Sequence, residues 1–309
     1  MSTTIAAGRK TVLITGCSPG GIGHALCKAF HARGLHVIAT ARNPAVLAEF
    51  SEVPGFSCLQ LDVTDEASIA ACRDQVAQLT GGRLDILVNN AGRTHTVPAT
   101  DLDLDDVRKT FETNVFGVMA MVKGFVDLLI AAKGLIINIS SLASILPYIF
   151  APAYSATKAA VNGYSRTLRQ ELRPYGVRVT VALTGTVRTN INMQTDRQLP
   201  ANSLYGPIKD IYNWRLTFSA RDPSSIAPAE YARKLVNDVL KPEWPMILRG
   251  LFGLGRPDWH YGGGFSKAAW IGTSIGEWVG DLLLYRMFKL PTLESILNTQ
   301  QAGVRKIKD

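Results

Sequence analysis

The stretch Thr11-Val12-Leu13-Ile14-Thr15-Gly16-Cys17-Ser18-Pro19-Gly20-Gly21-Ile22-Gly23 decides the fold. An apolar, β-branched run stops at a cluster of glycines, and an amphipathic segment starts at Ile22. The order is strand, tight turn, helix. Glycines in such a turn let backbone N–H groups approach a pyrophosphate, and the helix N-terminus adds attraction for negative charge. A plain strand-to-helix turn is the competing reading of this string taken alone.

Outward from this stretch, the alternation continues through the N-terminal two-thirds. Candidate strands lie at 11–15, 36–40, 57–61, 84–89, 135–139 and 177–183, with a seventh at 246–249. Most are continuous apolar runs, as parallel strands covered on both faces should be. The spacing predicts a helix over 107–132, with the stripe Val107, Phe111, Val115, Val118, Val122, Phe125, Leu129. A second helix carries Tyr154, Val161, Tyr164, Leu168 and Leu172 and stops at Pro174-Tyr175-Gly176; a third covers 229–240. Residues 190–228, with prolines, asparagines and serines, read as an irregular substrate loop or lid with short helices.

Strand ends carry the binding chemistry. Thr40-Ala41-Arg42 has no carboxylate for a ribose 2′-hydroxyl, while Arg42 offers a planar fork suited to a 2′-phosphate. That favours NADPH over NADH; a solvated loop arginine is the alternative. Asp62, in Leu61-Asp62-Val63, either accepts from an adenine amino group or caps the helix near Ala67. Asn89-Asn90-Ala91-Gly92 pairs two amides that can hold a cleft open with a glycine that leaves room beside them. A polar loop rich in turn residues explains the same string.

Tyr154 and Lys158 share one helix face at i and i+4. An ammonium beside a phenol favours the phenolate and should bring the tyrosine pKa down from about 10. Such a tyrosine can exchange a proton with a carbonyl oxygen. Asn114 lies in the apolar stripe of the helix over 107–132, where a buried amide needs partners.

Together, Thr15-Gly16…Gly21-Ile22-Gly23, Asn89-Asn90-Ala91-Gly92, Asn114, Ser141 and Tyr154-x-x-x-Lys158 resemble the short-chain dehydrogenase/reductase superfamily over roughly residues 9–190. The resemblance implies an α/β fold: a single Rossmann-type, doubly wound parallel sheet of order 3-2-1-4-5-6-7. It divides the chain into a catalytic domain over 1–255 and a C-terminal helical extension over 256–309 that is no independent domain. It also implies a homo-oligomer, dimer or tetramer. Tyr154 would be the proton donor and Lys158 its pKa tuner and a ligand of the nicotinamide ribose. Ser141, thirteen residues before Tyr154, would polarise the carbonyl, and Asn114 would hold a water linking Lys158 to solvent. Gly16, Ser18, Gly21, Ile22, Gly23, Arg42, Asp62, Asn90 and Gly92 fall at cofactor positions, and Val187 and Thr189 resemble contacts to the nicotinamide carboxamide. Lys123 is either a further cofactor contact or an exposed helix lysine.

Three departures from the family pattern stand out. Four residues separate Gly16 from Gly21, where three are usual, so the phosphate-facing residue among 17–20 stays open. Thr184 replaces a proline, which should soften the loop under the nicotinamide. The C-terminal tail is longer than the fold requires. The glycine turn with Ala39-Thr40-Ala41-Arg42-Asn43 resembles the fungal branch that includes NADPH-dependent 1-acyldihydroxyacetone-phosphate reductases and ketone reductases of secondary metabolism.

In the tail, Ile271, Ile275, Trp278, Leu282 and Tyr285 describe one amphipathic face, interrupted by too many charges for a spanning helix. Packing on the core or a second subunit, a hydrophobic substrate wall and a lipid-surface helix are its three readings. His260 lacks a carboxylate at useful spacing and reads as structural.

Composition narrows the classes. A chain of 309 residues, 47% hydrophobic, can bury a full core. Cys17, Cys27, Cys58 and Cys72 have no metal-type spacing and read as thiols of a reducing compartment, so no metal site is expected. The first ten residues carry no apolar signal region, and a cytoplasmic enzyme is expected, peripheral on an intracellular membrane if the tail meets lipid. The net charge of +8 has no basic run interleaved with aromatics, which argues against nucleic acid and suits a polyphosphate ligand. The expected activity is NADPH-dependent reduction of a bulky, largely apolar ketone. The substrate is an acyldihydroxyacetone phosphate, a polyketide or terpenoid ketone, or a sterol or retinoid carbonyl. A cofactor-binding scaffold without chemistry is the rival from another class.

Overall fold

Each apolar run becomes a strand because successive side chains point to opposite faces and both faces are covered by helices. Val12 and Ile14 enter one core and Leu13 the other; Val37 and Ala39 oppose Ile38, and Ile86 and Val88 oppose Leu87. In the computed structural model, which describes residue 5 and residues 8–189, 197–244 and 254–308, seven strands form one sheet. They are β1 (Thr11–Ile14), β2 (His36–Ala41), β3 (Phe56–Gln60), β4 (Ile86–Asn89), β5 (Leu135–Ser141), β6 (Arg178–Thr184) and β7 (Trp259–Gly262). The order is β3-β2-β1-β4-β5-β6-β7, and every neighbouring pair is parallel.

The main helices are α1 (Ile22–His31), α2 (Glu66–Thr80), α3 (Leu104–Phe111), α4 (Gly117–Ala132), α5 (Pro152–Leu172), α6 (Lys209–Leu216), α7 (Pro228–Val239), α8 (Ser266–Ile275), α9 (Glu277–Met287) and α10 (Leu290–Lys308). Helices α1 and α7 cover one face of the sheet; α2, α4 and α5 cover the other. Strand order switches between β1 and β4, where successive strands begin to be added on the other side, and the carboxyl ends there open a crevice, the place where such sheets bind ligands.

Three expectations are corrected, and a fourth falls outside the described residues. The candidate strand at 246–249 lies outside the described residues, and the seventh strand of the sheet is Trp259–Gly262. The sheet therefore runs past the boundary at 255, into the segment read as extension. The helix expected over 107–132 is interrupted by a π-helical turn, Glu112–Phe116, which holds Asn114. The apolar face of the tail is not one helix: Gly276, at φ +151°, separates α8 from α9.

Candidate active site

One cleft, with a volume of about 1080 Å³, runs from the glycine turn past Tyr154 to the C-terminal helices. At its first end the wall is backbone. Gly16 has φ +72°, open to glycine at little cost. A Cβ on Gly23 would sit 2.4 Å from Gly16 O and 2.5 Å from Asn90 Nδ2, so only glycine lets α1 start this close. Asn90 Nδ2 donates to Thr15 O (2.8 Å) and Gly16 O (3.0 Å), and its backbone N–H donates to Thr15 Oγ1 (2.9 Å). The Asn90 amide thus holds the turn in shape, although the residue also lines the cleft.

The longer turn resolves which residue faces out. Cys17 is fully buried, its backbone N–H donating to Thr40 O at 2.9 Å. Ser18, Pro19, Gly21 and Ile22 line the cleft. Gly21 N donates to Ser18 O at 3.2 Å and closes the turn, with Gly20 at φ +76°. This cradle fits the pyrophosphate of a dinucleotide, since it offers backbone and the N-terminus of a ten-residue helix where side chains would collide.

Arg42 is exposed at the rim, and Asp62 feels its charge. Burial would raise the Asp62 carboxyl, but hydrogen bonds from Thr64 and the Arg42 charge hold it below the usual range. Asp62 is not the helix cap. Asp65 fills that role, accepting from Ala67 N at 2.9 Å, while Asp62 accepts from Thr64 N at 2.9 Å. Gly92 sits beside the next group of residues: a Cβ there would lie 3.2 Å from Asn114 Oδ1 and 3.8 Å from Lys158 Nζ.

Ser141, Tyr154 and Lys158 all line the cleft. Ser140 and Ser141 alternate at the end of β5 and face opposite ways. Ser140 Oγ is buried and donates to Asn162 Oδ1 at 2.6 Å, which leaves Ser141 to face Tyr154. Lys158 Nζ donates to Ile139 O at 2.8 Å and lies 5.8 Å from the Tyr154 ring centroid. Burial lowers the lysine to about 8. The tyrosine departs from expectation. Burial pushes its hydroxyl up to about 12, eased by Ser141 and by the charge of Arg215 rather than by Lys158.

Asn114 is buried and its side chain is occupied. Nδ2 donates to Arg93 O (3.0 Å) and Thr157 Oγ1 (3.1 Å), and Oδ1 accepts from Arg93 N (2.8 Å). The amide ties the loop after β4 to α5, so a water held at this residue would fall to its main chain. Lys123 is exposed on α4 and does not line the cleft. Nine residues beyond Asn114 is about two and a half turns, which carries it to the opposite side.

Val187 and Thr189 line the cleft as expected. The loop above them is not softened by Thr184: its hydroxyl lies 2.6 Å from Tyr231 OH, and Gly185 N donates to Gly262 O at 2.7 Å. A Cβ on Gly185 would come 1.9 Å from Gly264 O, so two backbones cross here with no side chain between them.

The far end of the cleft holds residues that sequence reasoning missed. Arg93, His95, Arg197 and Arg215 line it. Asp106 accepts from Arg93 Nη2 at 2.6 Å, pairs with Arg197 and lies 3.3 Å from His95 Nε2. Arg215, on α6, is 3% exposed and stacks 3.7 Å from the Tyr148 ring centroid. The only sequence signal was a cation inside the aromatic stretch Tyr212-Asn213-Trp214-Arg215.

The tail packs on the core and also borders the cleft. Ala269, Leu284 and Phe288 are buried against the core, and Gly272, Val279, Leu283 and Met287 line the cleft. The predicted apolar face points outward: Ile275 is 62% and Trp278 63% exposed. His260 does have a carboxylate partner. Its Nδ1 lies 2.8 Å from Asp238 Oδ2, a residue twenty-two positions upstream on α7, and the pair stands away from the cleft. The cysteines are free and at least half-buried, and burial pushes Cys72 up to about 12. Among the described residues no cluster could hold a metal.

Comparison with known proteins agrees with this geometry. The short chain dehydrogenase family model matches residues 10–200. The NADPH-dependent 1-acyldihydroxyacetone phosphate reductase of Schizosaccharomyces pombe is 40% identical over 295 residues, covering 92% of this chain and 95% of its own. Short-chain dehydrogenase ptmH of Penicillium ochrochloron is 38% identical over 284 residues, covering 90% and 98%. The crystal structure of a short-chain dehydrogenase from Streptomyces avermitilis superposes with a TM-score of 0.71 at 26% identity, over 96% of this chain and 98% of that one. With a family match across most of the sheet, and a relative 40% identical over nearly the full length of both chains, the chain belongs to the short-chain dehydrogenases.

Proposed function

We propose that this oxidoreductase is an NADPH-dependent reductase of a bulky, largely apolar ketone. The observation that carries the proposal is the continuity of one cleft, from the glycine turn and Arg42, past Ser141 and Tyr154, to an apolar wall formed by α8 and α9. NADPH would supply the hydride that reaches the carbonyl carbon. Gly16, Ser18, Gly21 and Ile22 would hold its pyrophosphate, Arg42 its 2′-phosphate and Asp62 its adenine, with Gly23 letting α1 begin close behind the turn. Gly92, Lys158, Val187 and Thr189 would border its nicotinamide half, with Asn90 keeping the turn in shape. Tyr154 gives its proton to the carbonyl oxygen, and Ser141 stabilises the negative charge developing there. A hydroxyl held near 12 stays protonated at neutral pH, the form a proton donor needs. The Ser141 hydroxyl and the charge of Arg215 favour the phenolate left behind.

The S. pombe relative, by its name an NADPH-dependent 1-acyldihydroxyacetone phosphate reductase, supports NADPH as cofactor and makes an acyldihydroxyacetone phosphate a candidate substrate, while ptmH supports the dehydrogenase chemistry alone. The test is NADPH consumption over a panel of acyldihydroxyacetone phosphate, polyketide-like and steroid ketones. Turnover of one class supports the proposal. Tight NADPH binding with no turnover of any would favour the non-catalytic scaffold. We also infer that the exposed apolar face of α8 and α9 rests on an anionic lipid surface, a reading supported by its position beside the cleft and by the +8 net charge.

A further inference from the structure

Buried cations cost free energy unless a carboxylate or an equivalent partner faces them. Three arginines stand at the ketone end of the cleft, and two obey that rule: Arg93 and Arg197 share Asp106. Arg215 does not. No carboxylate among the described residues pairs with it, and only its Nε has a hydrogen-bond partner in view, Ile149 O at 3.0 Å. Its Nη2 is buried with no acceptor. The ring of Tyr148 at 3.7 Å and that of Phe288 at 5.1 Å repay part of the desolvation, as aromatic faces do for guanidinium groups. They provide no hydrogen-bond acceptor in the guanidinium plane.

The position makes this deficit informative. Arg215 lines the cleft together with Tyr154 and Ser141, and its charge acts on the Tyr154 hydroxyl. Next to it the walls are apolar: Leu146, Phe218, Phe265 and Met287. A guanidinium offers paired donors in one plane, matched to a phosphate or a carboxylate. We infer that Arg215 is the anchor for an oxyanion carried by the substrate, so that the molecule reduced is an amphiphile with an apolar body and a phosphate or carboxylate near its ketone. This deepens the ketone-reductase proposal and rests on it for the identity of the reacting group. It also separates the substrate classes: a neutral steroid leaves Arg215 unanswered, whereas a phosphate ester or a keto acid satisfies it.

The test measures binding, so it does not depend on turnover. NADPH-loaded enzyme is titrated calorimetrically with dodecyl phosphate, dodecanoate and dodecanol, below the concentrations at which they form micelles. At least one anion should bind about 10- to 100-fold more tightly than the alcohol, the range of a charge-assisted hydrogen-bonded pair. Which anion wins distinguishes a phosphate substrate from a carboxylate. Arg215→Gln should abolish the preference, and Arg215→Lys should keep it in weaker form; unchanged NADPH affinity reports that both variants fold. Equal binding of all three amphiphiles by the unaltered enzyme would overturn the inference. So would a preference that survives Arg215→Gln, or, if that variant does not fold, one that Arg215→Lys leaves at full strength. Absence of ketone turnover would instead count against the reductase proposal and is read in a separate assay.

Discussion

The two ends of the cleft are made of different material. At the phosphate end the wall is largely backbone: Gly16 and Gly21 line the cleft, Gly23 lets α1 start close against the turn, and Asn90 braces it. At the ketone end the wall is side chains delivered by separate elements: Tyr154 from α5, Arg215 from α6, Leu283 and Met287 from α9. A backbone wall needs particular torsions and missing Cβ atoms, which a short contiguous string records. A side-chain wall needs distant segments to meet, and each contributes one residue that looks ordinary in its own neighbourhood.

The contrast can be broken at three points. The largest effect should come from Tyr154→Phe, which removes the proton and keeps the ring: turnover falls about 10³-fold while NADPH affinity stays within a few-fold. Steady-state rates and a fluorescence titration of NADPH check both halves, and a variant that still turns over at the native rate ends the role of Tyr154. Next, Arg42→Ala should weaken NADPH by about 10- to 100-fold and NADH far less, since one charge-assisted contact to a 2′-phosphate is lost. Equal losses for the two nucleotides would return Arg42 to the class of solvated loop arginines. The smallest effect is expected outside the cleft. Replacing Trp278 and Leu282 together by serine should cut co-flotation with anionic vesicles several-fold and leave reduction of a water-soluble ketone within about twofold. Native protein that fails to float at all would remove lipid from the account.

What was legible follows the same division. The glycine turn, the alternation of strands and helices and the Tyr154–Lys158 pair were readable because local periodicity and contiguous motifs dictate them. The order of the sheet and the place of Ser141 came only from the family resemblance. The β7 strand escaped because Trp-His-Tyr-Gly is short and lacks the apolar run of its neighbours. The π turn escaped because it inserts a backbone register shift into an unbroken apolar stripe. Of the two readings of Lys123, its exposed place on α4 away from the cleft favours the helix lysine. The Tyr154 hydroxyl was expected low on the strength of Lys158 alone; burial, which only the assembled fold sets, carries it to about 12. Arg215 was invisible for a related reason: a missing counter-ion is a property of three-dimensional surroundings.

Hydride transfer to a ketone is the central claim, and isotope transfer tests it most directly. The enzyme is supplied with NADPH deuterated at its transferable position together with the best ketone of the panel, and the alcohol is analysed by mass spectrometry. The account predicts an alcohol one mass unit heavier, with the deuterium on the former carbonyl carbon, formed about 10³-fold more slowly when Tyr154 is replaced by phenylalanine. An alcohol formed without the label, or label incorporated at the native rate by Tyr154→Phe, would contradict it.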